Sequence, residues 1–167
     1  STPFAAEIEV PEWRAYEDAV QAQYGDLLAQ VDEYIDETYL DPLKANPDDE
    51  VLRAELGKVY VALKRYDAAM DAAYSYLRSP RGRKASTYNH LGIVSYFKGE
   101  LQQAAFFLQQ AAELAPENEG IRGNLEKVRA ALGEVEAGKG QAMVEVSAAG
   151  AKGAATGDDE GSFHWVE

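Results

Sequence analysis

Few residues of this chain have the type and spacing that catalysis or metal binding needs. Its two histidines, His90 and His164, are far apart, and neither has a second metal-ligating residue at helical spacing. Asp158, Asp159 and Glu160 are consecutive carboxylates but lack the spacing of a calcium-binding loop. The carboxylates within residues 32–37 are typical of a solvated helix face. These patterns predict no metal site and no cofactor.

The motifs of the common catalytic classes are also missing from the sequence. The chain has no cysteine, which excludes disulfides and thiolate nucleophiles. No phosphate-binding loop, nucleophile elbow or dinucleotide-binding glycine fingerprint occurs. We therefore expect a protein that is not an enzyme and that acts by binding.

The sequence does offer aromatic residues near its C-terminus that are suited to binding another protein surface. Phe163, His164 and Trp165 follow acidic residues, and Gly, Ala and Ser dominate residues 138–157, which predicts a flexible linker. Because tryptophan is enriched at binding hot spots, residues 163–165 are interpreted as a docking motif. The alternative is a disordered tail with incidental aromatic residues. Residues 142–146 alternate in polarity, which predicts a short strand that pairs with the edge of a partner's β-sheet.

Charge is distributed unevenly along the 167 residues, whose net charge is −13. Residues 1–50 carry 14 acidic and 2 basic side chains, whereas residues 51–132 carry 8 acidic and 12 basic ones, a net charge of +4. Residues 133–167 have a net charge of −5. The acidic total disfavours nucleic acid as a partner. The mildly basic middle favours an acidic protein segment, including the chain's own tail.

The middle of the chain is organised around residues 85–118. Aromatic, aliphatic and small residues recur there at fixed places before a closing proline: Tyr88, Leu91, Gly92, Ala104, Leu108, Ala111 and Pro116. Gly99 is expected to end a first helix because glycine adopts the left-handed conformation of a helix end. Pro116 is expected to stop the second helix, and Asn118 to cap the next one.

The same pattern recurs upstream at Leu56, Gly57 and Tyr60, where Asp48 or Asp49 is expected to cap the helix. The connection that follows this second copy is basic. It is interpreted as a solvated loop or, alternatively, as an anchor for an acidic partner segment, and its candidate residues are Arg81, Arg83 and Lys84.

This pattern resembles the tetratricopeptide repeat, a helical hairpin of about 34 residues. The resemblance is close over residues 50–118 and loose over residues 11–49. Gly57 and Gly92 are 35 residues apart, one more than the repeat length of about 34. This additional residue is assigned to the connection at residues 79–84. Any amphipathic helical hairpin would show part of the pattern, but here several positions match in one register.

The resemblance implies an all-α fold in which antiparallel helical hairpins stack as a short right-handed solenoid with a flexible C-terminal tail. We expect a lead-in at residues 1–10, a repeat domain at residues 11–133 and a linker with an acidic aromatic tail at residues 134–167. The domain would comprise a divergent repeat (11–49), two repeats (50–84 and 85–118) and a terminal capping helix (119–132). Gly25 is expected to break the first helix, and Pro42 to kink or end the second.

The resemblance also implies a concave groove, lined by the first helix of each repeat, that binds peptides. When the groove positions of the family are transferred to this sequence, they correspond to Ala54, Glu55, Lys58, Val61, Asn89, His90, Ile93, Tyr96, Phe97, Asn124 and Lys127. Chaperone-binding members hold a terminal carboxylate with a Lys and Asn clamp, which Ala54 and Lys58 do not reproduce. Because Tyr96 and Phe97 make the groove partly apolar, an aromatic or aliphatic peptide is the expected ligand.

Three functions follow as hypotheses. The first is a non-catalytic adaptor that binds a peptide or an extended partner segment in the groove. The second is a self-assembly or autoregulatory module whose tail docks in its own groove or in a neighbour's, which would give a homo-oligomer. The third is an accessory domain of a larger bacterial assembly, since the chain begins at Ser1 rather than Met.

The sequence leaves the compartment of the protein open. No apolar run reaches the roughly 18 residues of a membrane span, so a soluble protein is expected. The given residues contain no basic and apolar signal region. Both a cytoplasmic and a periplasmic location remain compatible with these features.

Overall fold

A computed structural model describes residues 11–139 and 163–165 of the chain. The regular elements in this part are helical: α1 (Pro11–Ile35), a π-helical turn (Asp36–Leu40), α2 (Asp41–Ala45), α3 (Glu50–Ala62), α4 (Tyr66–Leu77), α5 (Ala85–Phe97), α6 (Leu101–Leu114), α7 (Glu119–Glu134) and a second π-helical turn (Val135–Lys139). The predicted lead-in at residues 1–10 and the predicted strand at residues 142–146 lie outside the described residues. Within the described ranges, no helix is both long and apolar enough to cross a membrane.

The chain divides into two compact units, Ser1–Lys44 and Ala45–Glu167. In the second unit the helices pack in chain order, α3 on α4, α4 on α5, α5 on α6 and α6 on α7. Helix α5 also contacts both α3 and α7, so the first helices of successive hairpins are neighbours. This is the packing of a tetratricopeptide-like solenoid, and the predicted all-α helical-repeat fold is confirmed.

The α5–α6 hairpin closes tightly because small residues lie where its helices cross. A Cβ atom added to Gly92 would lie 2.5 Å from Leu108 Cγ and 3.2 Å from the Ala104 carbonyl oxygen. Leu91 and Leu108 are completely buried and fill the space beside this contact. The glycine and alanine of the sequence pattern therefore set the distance between the two helices.

Helix ends in the second unit follow local sequence signals. The Asp49 side chain accepts a hydrogen bond from the Leu52 amide at 3.0 Å, and the Asn118 side chain accepts one from the Ile121 amide at 2.9 Å. Both residues are therefore N-caps, as predicted. Gly99 takes the predicted left-handed conformation with φ of +86°. Lys64 ends α3 in a similar conformation, with φ of 57°.

The predicted helix break at Gly25 is wrong, because α1 runs without interruption through this residue. A glycine inside a helix costs only about 1 kcal/mol relative to alanine, so it does not by itself end a helix. A Cβ atom at Gly25 would meet nothing within 4 Å, so no close contact requires glycine there. The helical geometry changes later, in the π-helical turn before Pro42, a residue that lacks an amide donor and crowds the preceding turn.

Candidate functional site: a groove that holds residues 163–165

Residues of α3, α5 and α7 lie on one face of the second unit and contact residues 163–165. We call residues 163–165 the docking segment, and we call the face that contacts it the groove. The groove comprises Gly57 of α3, Asn89, His90, Tyr96 and Phe97 of α5, and Gly120, Asn124 and Lys127 of α7. Because α5 touches both other helices, one short segment reaches residues of all three.

Two buried asparagines hold the main chain of His164. The His164 amide donates to Asn124 Oδ1 at 3.0 Å, and Asn124 Nδ2 donates to the His164 carbonyl oxygen at 2.9 Å. Asn89 Nδ2 donates to the same carbonyl at 2.5 Å. Asn124 Nδ2 also lies 2.8 Å from Asn89 Oδ1, which fixes the two amides relative to each other. The pair therefore holds main-chain atoms of His164 and makes none of these hydrogen bonds to its side chain.

Phe163 occupies an aromatic site at one end of the groove and is 5% exposed. Its ring centroid lies 4.9 Å from that of Tyr96 and 5.6 Å from that of Phe97. Lys127 Nζ lies 4.5 Å from the centroid of the Phe163 ring, within the range of a cation–π interaction. This end of the groove combines apolar burial with a positive charge.

Trp165 occupies a second site, beside α3, and is 3% exposed. Its ring centroid lies 5.8 Å from that of His90, and its main-chain carbonyl accepts a hydrogen bond from His90 Nε2. The indole ring lies directly on Gly57, where an added Cβ atom would be 2.7 Å from Trp165 Cζ3. Among the described residues, nothing accepts a hydrogen bond from Trp165 Nε1. The indole ring is therefore held by packing rather than by a hydrogen bond from its N–H.

His164 directs its side chain to solvent between these two sites. Its Cβ and Cγ atoms pass close to α7, where a Cβ atom added to Gly120 would lie 2.9 Å from each of them. Gly120 therefore lets the backbone of the docking segment approach the amide of Asn124. The residue between the two aromatic rings contributes its main chain to binding.

His90 is electrically neutral while the docking segment is in place. Burial lowers the pKa of His90 from 6.5 to about 4, and the Trp165 carbonyl opposes this shift. Among the charged groups of α3, Glu50 raises the pKa of His90, whereas Arg53 and Lys58 lower it. A carbonyl oxygen only accepts hydrogen bonds, so Nε2 of the neutral ring must carry the proton.

The groove predicted from the sequence overlaps only in part with the contacts around the docking segment. Six of its eleven residues interact with this segment through hydrogen bonds, aromatic rings or a cation–π contact: Asn89, His90, Tyr96, Phe97, Asn124 and Lys127. Ala54, Val61 and Ile93 are buried, whereas Glu55 and Lys58 are exposed on α3. That any of these residues binds a partner stays a prediction.

Sequence reasoning missed Gly57 and Gly120 as groove residues. The sequence pattern assigns Gly57 only to the hairpin. Gly120 occupies the second place of the helix that starts at Glu119, four residues before the predicted groove residue Asn124 and therefore on the same helix face. A glycine at such a place was the available signal.

The basic connection after α4 forms ion pairs with residues at the start of α3. Arg81 Nη1 lies 2.6 Å from Asp48 Oδ2, and Lys84 Nζ lies 2.7 Å from Glu50 Oε1, whereas Arg83 is exposed. The hydrogen bond from Arg81 and a second one from the Tyr76 hydroxyl hold the pKa of Asp48 below its usual value. Two of the three predicted anchor residues are thus ion-paired inside the unit, and their use by a partner stays a prediction.

No cluster of three or more metal-ligating side chains occurs among the residues that the structure describes. The arrangement offers hydrogen-bonding amides and aromatic surfaces, together with a buried neutral imidazole. In this structure these groups hold the main chain of His164 and the aromatic rings of Phe163 and Trp165.

Comparisons with known proteins agree with the repeat pattern. Residues 85–118 match the family model described as Tetratricopeptide repeat. The chain is also similar to the BBSome complex member BBS4 of Bos taurus, with 34% identity over 82 residues, which are 49% of this chain and 15% of that protein. The chain thus matches only a small part of the length of this relative. No solved structure matches the chain.

The matched residues are those of the α5–α6 hairpin with its flanking turns, and the repeat pattern read from the sequence has the same bounds. Four of the eight groove residues lie on α5, the first helix of this hairpin. The chain therefore contains a tetratricopeptide repeat, a protein–protein interaction module, at residues 85–118.

Proposed function

We propose that the chain is a non-catalytic interaction module whose groove binds an extended segment of a partner protein. The observation that carries this proposal is the pairing of both main-chain groups of His164 with Asn124. Main-chain hydrogen bonds provide affinity for any extended peptide, and pockets for the alternate side chains provide specificity. Both features occur together in this groove.

The chain's own docking segment makes this module self-occupied. A segment in the same chain as the groove competes at an effective concentration that is of the order of millimolar. A partner with the same chemistry must therefore displace residues 163–165 before it binds. This arrangement makes the groove autoregulatory, and it favours partners that are abundant or that bind more tightly than the chain's own segment.

The similarity to a BBSome complex member supports a role in building an assembly of several proteins. The charge pattern agrees with this role, because residues 51–132 have a net charge of +4 and residues 133–167 a net charge of −5. The positive charge of residues 51–132 attracts acidic segments of other proteins and so speeds their encounter with the groove.

The test uses the full chain with Phe163 and Trp165 both replaced by alanine, which we call the open-groove variant. A fluorescent synthetic peptide of residues 157–167 is titrated with this variant, and its anisotropy is followed. We expect saturable binding, and binding at least about ten-fold weaker to the wild-type chain because its own segment competes. The circular dichroism spectrum of the variant serves as the control for folding.

If a folded open-groove variant did not bind the peptide saturably, the proposed function would be wrong. Sedimentation of the wild-type chain decides where the segment docks. A wild-type dimer that becomes a monomer in the open-groove variant would mean that each segment occupies the groove of a neighbouring copy.

Peptide binding is predicted to weaken in acid because of His90. The docked state keeps His90 neutral with a pKa of about 4, and an accessible imidazole has the ordinary value of 6.5. The contribution of the neutral ring is complete above pH 6.5 and is lost as the pH falls towards 4. Affinity at pH 5 is expected to be up to about 25-fold lower than at pH 7.5. Anisotropy titrations of the open-groove variant across this range measure it.

Two substitutions test whether His90 is the origin of this pH dependence. With His90→Gln, the side-chain amide still donates to the carbonyl without titrating, so the pH dependence should disappear. With His164→Ala in the peptide, the dependence should remain. Equal pH profiles for the open-groove variant with and without His90→Gln would contradict the prediction.

A further inference from the structure

We infer that the groove selects an acidic segment of another protein in which an aromatic residue, one solvent-facing residue and a tryptophan follow one another. This inference rests on the proposed function and names its ligand. The docking segment, with Phe163, His164 and Trp165, is the chain's own copy of that ligand.

The spacing follows from where the backbone is held. Asn124 pairs with the amide and the carbonyl of His164, the residue between the two rings. In an extended chain alternate side chains point to opposite sides. Phe163 and Trp165 therefore enter the groove together, while His164 points outwards. A second residue between the rings would bring one of them to the solvent side.

The tryptophan preference follows from the floor of the second site. Trp165 Cζ3 and Cε3 would lie 2.7 Å and 3.3 Å from a Cβ atom on Gly57, so the six-membered part of the indole covers the glycine. The ring is 3% exposed, and no described residue pairs with its N–H. Selection therefore depends on ring size, because a smaller side chain would leave part of the site empty.

The preference for an aromatic residue at the first site follows from Lys127. Its ammonium group lies 4.5 Å from the centroid of the Phe163 ring. An aliphatic side chain offers no negative ring face to that charge, so it loses the cation–π attraction. The neighbouring Tyr96 ring adds an aromatic contact at 4.9 Å.

The acidic character of the ligand follows from charge complementarity. Residues 158–160, shortly before Phe163 in the sequence, are all acidic. Lys127 lies at the Phe163 end of the groove, and residues 51–132 have a net charge of +4. A partner with carboxylates before its first aromatic residue gains the same attraction, so it can compete with the chain's own docking segment for the groove.

The first experiment changes the size of the tryptophan site. Gly57→Ala is introduced into the open-groove variant, and binding of the 157–167 peptide is compared with that of the same peptide carrying Trp165→Leu. The added methyl group is expected to weaken the tryptophan peptide about ten-fold or more, as overpacking does. The affinity of the leucine peptide should change by less than about three-fold, because the smaller side chain leaves room. Gly123→Ala is the matched control, because a Cβ atom there meets nothing within 4 Å.

The second experiment changes the peptide spacing. Inserting one glycine between His164 and Trp165 of the peptide is expected to reduce affinity about 30-fold or more, as loss of a buried aromatic anchor does. His164→Ala in the peptide should change affinity by less than about three-fold, because its main chain carries the binding.

The outcomes distinguish the two proposals. If the unmodified peptide does not bind, the proposed function itself fails. If the peptide binds but the insertion does not weaken it, the groove binds peptides without this selectivity and the inference is overturned. Equal losses for the tryptophan and leucine peptides with Gly57→Ala would likewise overturn it.

Discussion

Replacing Asn124 by aspartate is expected to abolish most of the peptide affinity of the groove. The two side chains have the same shape, and the aspartate still accepts the hydrogen bond from the His164 amide. Its second oxygen, however, takes the place of an amide nitrogen that donates to the His164 carbonyl and lies 2.8 Å from Asn89 Oδ1. Three oxygen acceptors then converge without a proton, in a site where Asn124 is only 1% exposed.

The expected loss is large because the new charge is buried and poorly paired. Leaving a buried charged group without its hydrogen bonds costs several kcal/mol, so affinity should fall by about 100-fold or more. The measurement is the anisotropy titration of the 157–167 peptide with the open-groove variant, with and without Asn124→Asp. If the peptide affinity of the Asn124→Asp variant rises in acid, the new carboxylate has taken up a proton and can again donate a hydrogen bond.

Asn118→Asp is the matched control for this substitution. It makes the same chemical change just before the same helix, six residues earlier. The Asn118 side chain accepts from the Ile121 amide at 2.9 Å, a bond that aspartate also makes. Peptide affinity with Asn118→Asp should stay close to that of the open-groove variant. Equal effects of the two substitutions would mean that added negative charge alone weakens binding and that the pairing is unimportant.

The α5–α6 hairpin could be predicted from the sequence because each of its determinants is local. Gly92 lies opposite Leu108 and Ala104, Gly99 ends the first helix, and Asn118 caps the next one. Each feature depends on residue type at a fixed spacing, and together they allow only one register. The caps and the close helix crossing follow from such signals.

Gly25 shows where the same reasoning fails. Gly25 and Gly99 look alike in the sequence, but only Gly99 has a positive φ at a helix end. The flanking residues decide between helix continuation and a turn, and a single glycine costs too little to decide it. A rule that works inside a repeated pattern does not transfer to a segment that lacks the pattern.

The groove was predictable as a face but not as an occupied site. The spacing of the repeats places Asn89 on α5 and Asn124 at the equivalent position of α7, 35 residues later, so their side chains lie on the same face. Their 2.8 Å contact and their joint hold on His164 involve residues 35 to 75 positions apart in the chain. No local pattern encodes such a pairing, so docking and an incidental tail are both compatible with the sequence alone.

Replacing Gly82 by alanine is expected to destabilise the second unit strongly. A Cβ atom on Gly82 would lie 1.6 Å from the Tyr76 carbonyl oxygen, 2.3 Å from its carbonyl carbon and 2.9 Å from the Leu77 nitrogen. These are main-chain atoms of α4, so no side-chain rotation relieves the overlap. The connection between α4 and α5 must therefore move as a whole.

Moving the connection removes other interactions with it. The Tyr76 carbonyl accepts a hydrogen bond from Ser79 Oγ at 2.7 Å, and Arg81 pairs with Asp48, which also accepts from the Tyr76 hydroxyl. We expect the free energy of unfolding to fall by about 3 kcal/mol or more, the range seen for overpacking combined with loss of a hydrogen-bonded network. Urea denaturation followed by circular dichroism measures this change.

Gly123→Ala is the control for Gly82→Ala. Gly123 lies inside α7, where an added Cβ atom meets nothing within 4 Å and the residue is exposed. Alanine should raise the free energy of unfolding there by up to about 1 kcal/mol, because it is the better helix former. The same added methyl group thus has opposite effects at the two positions, and the sign depends on whether another main chain lies against it. Unchanged stability with Gly82→Ala would mean that the connection does not pack against the end of α4.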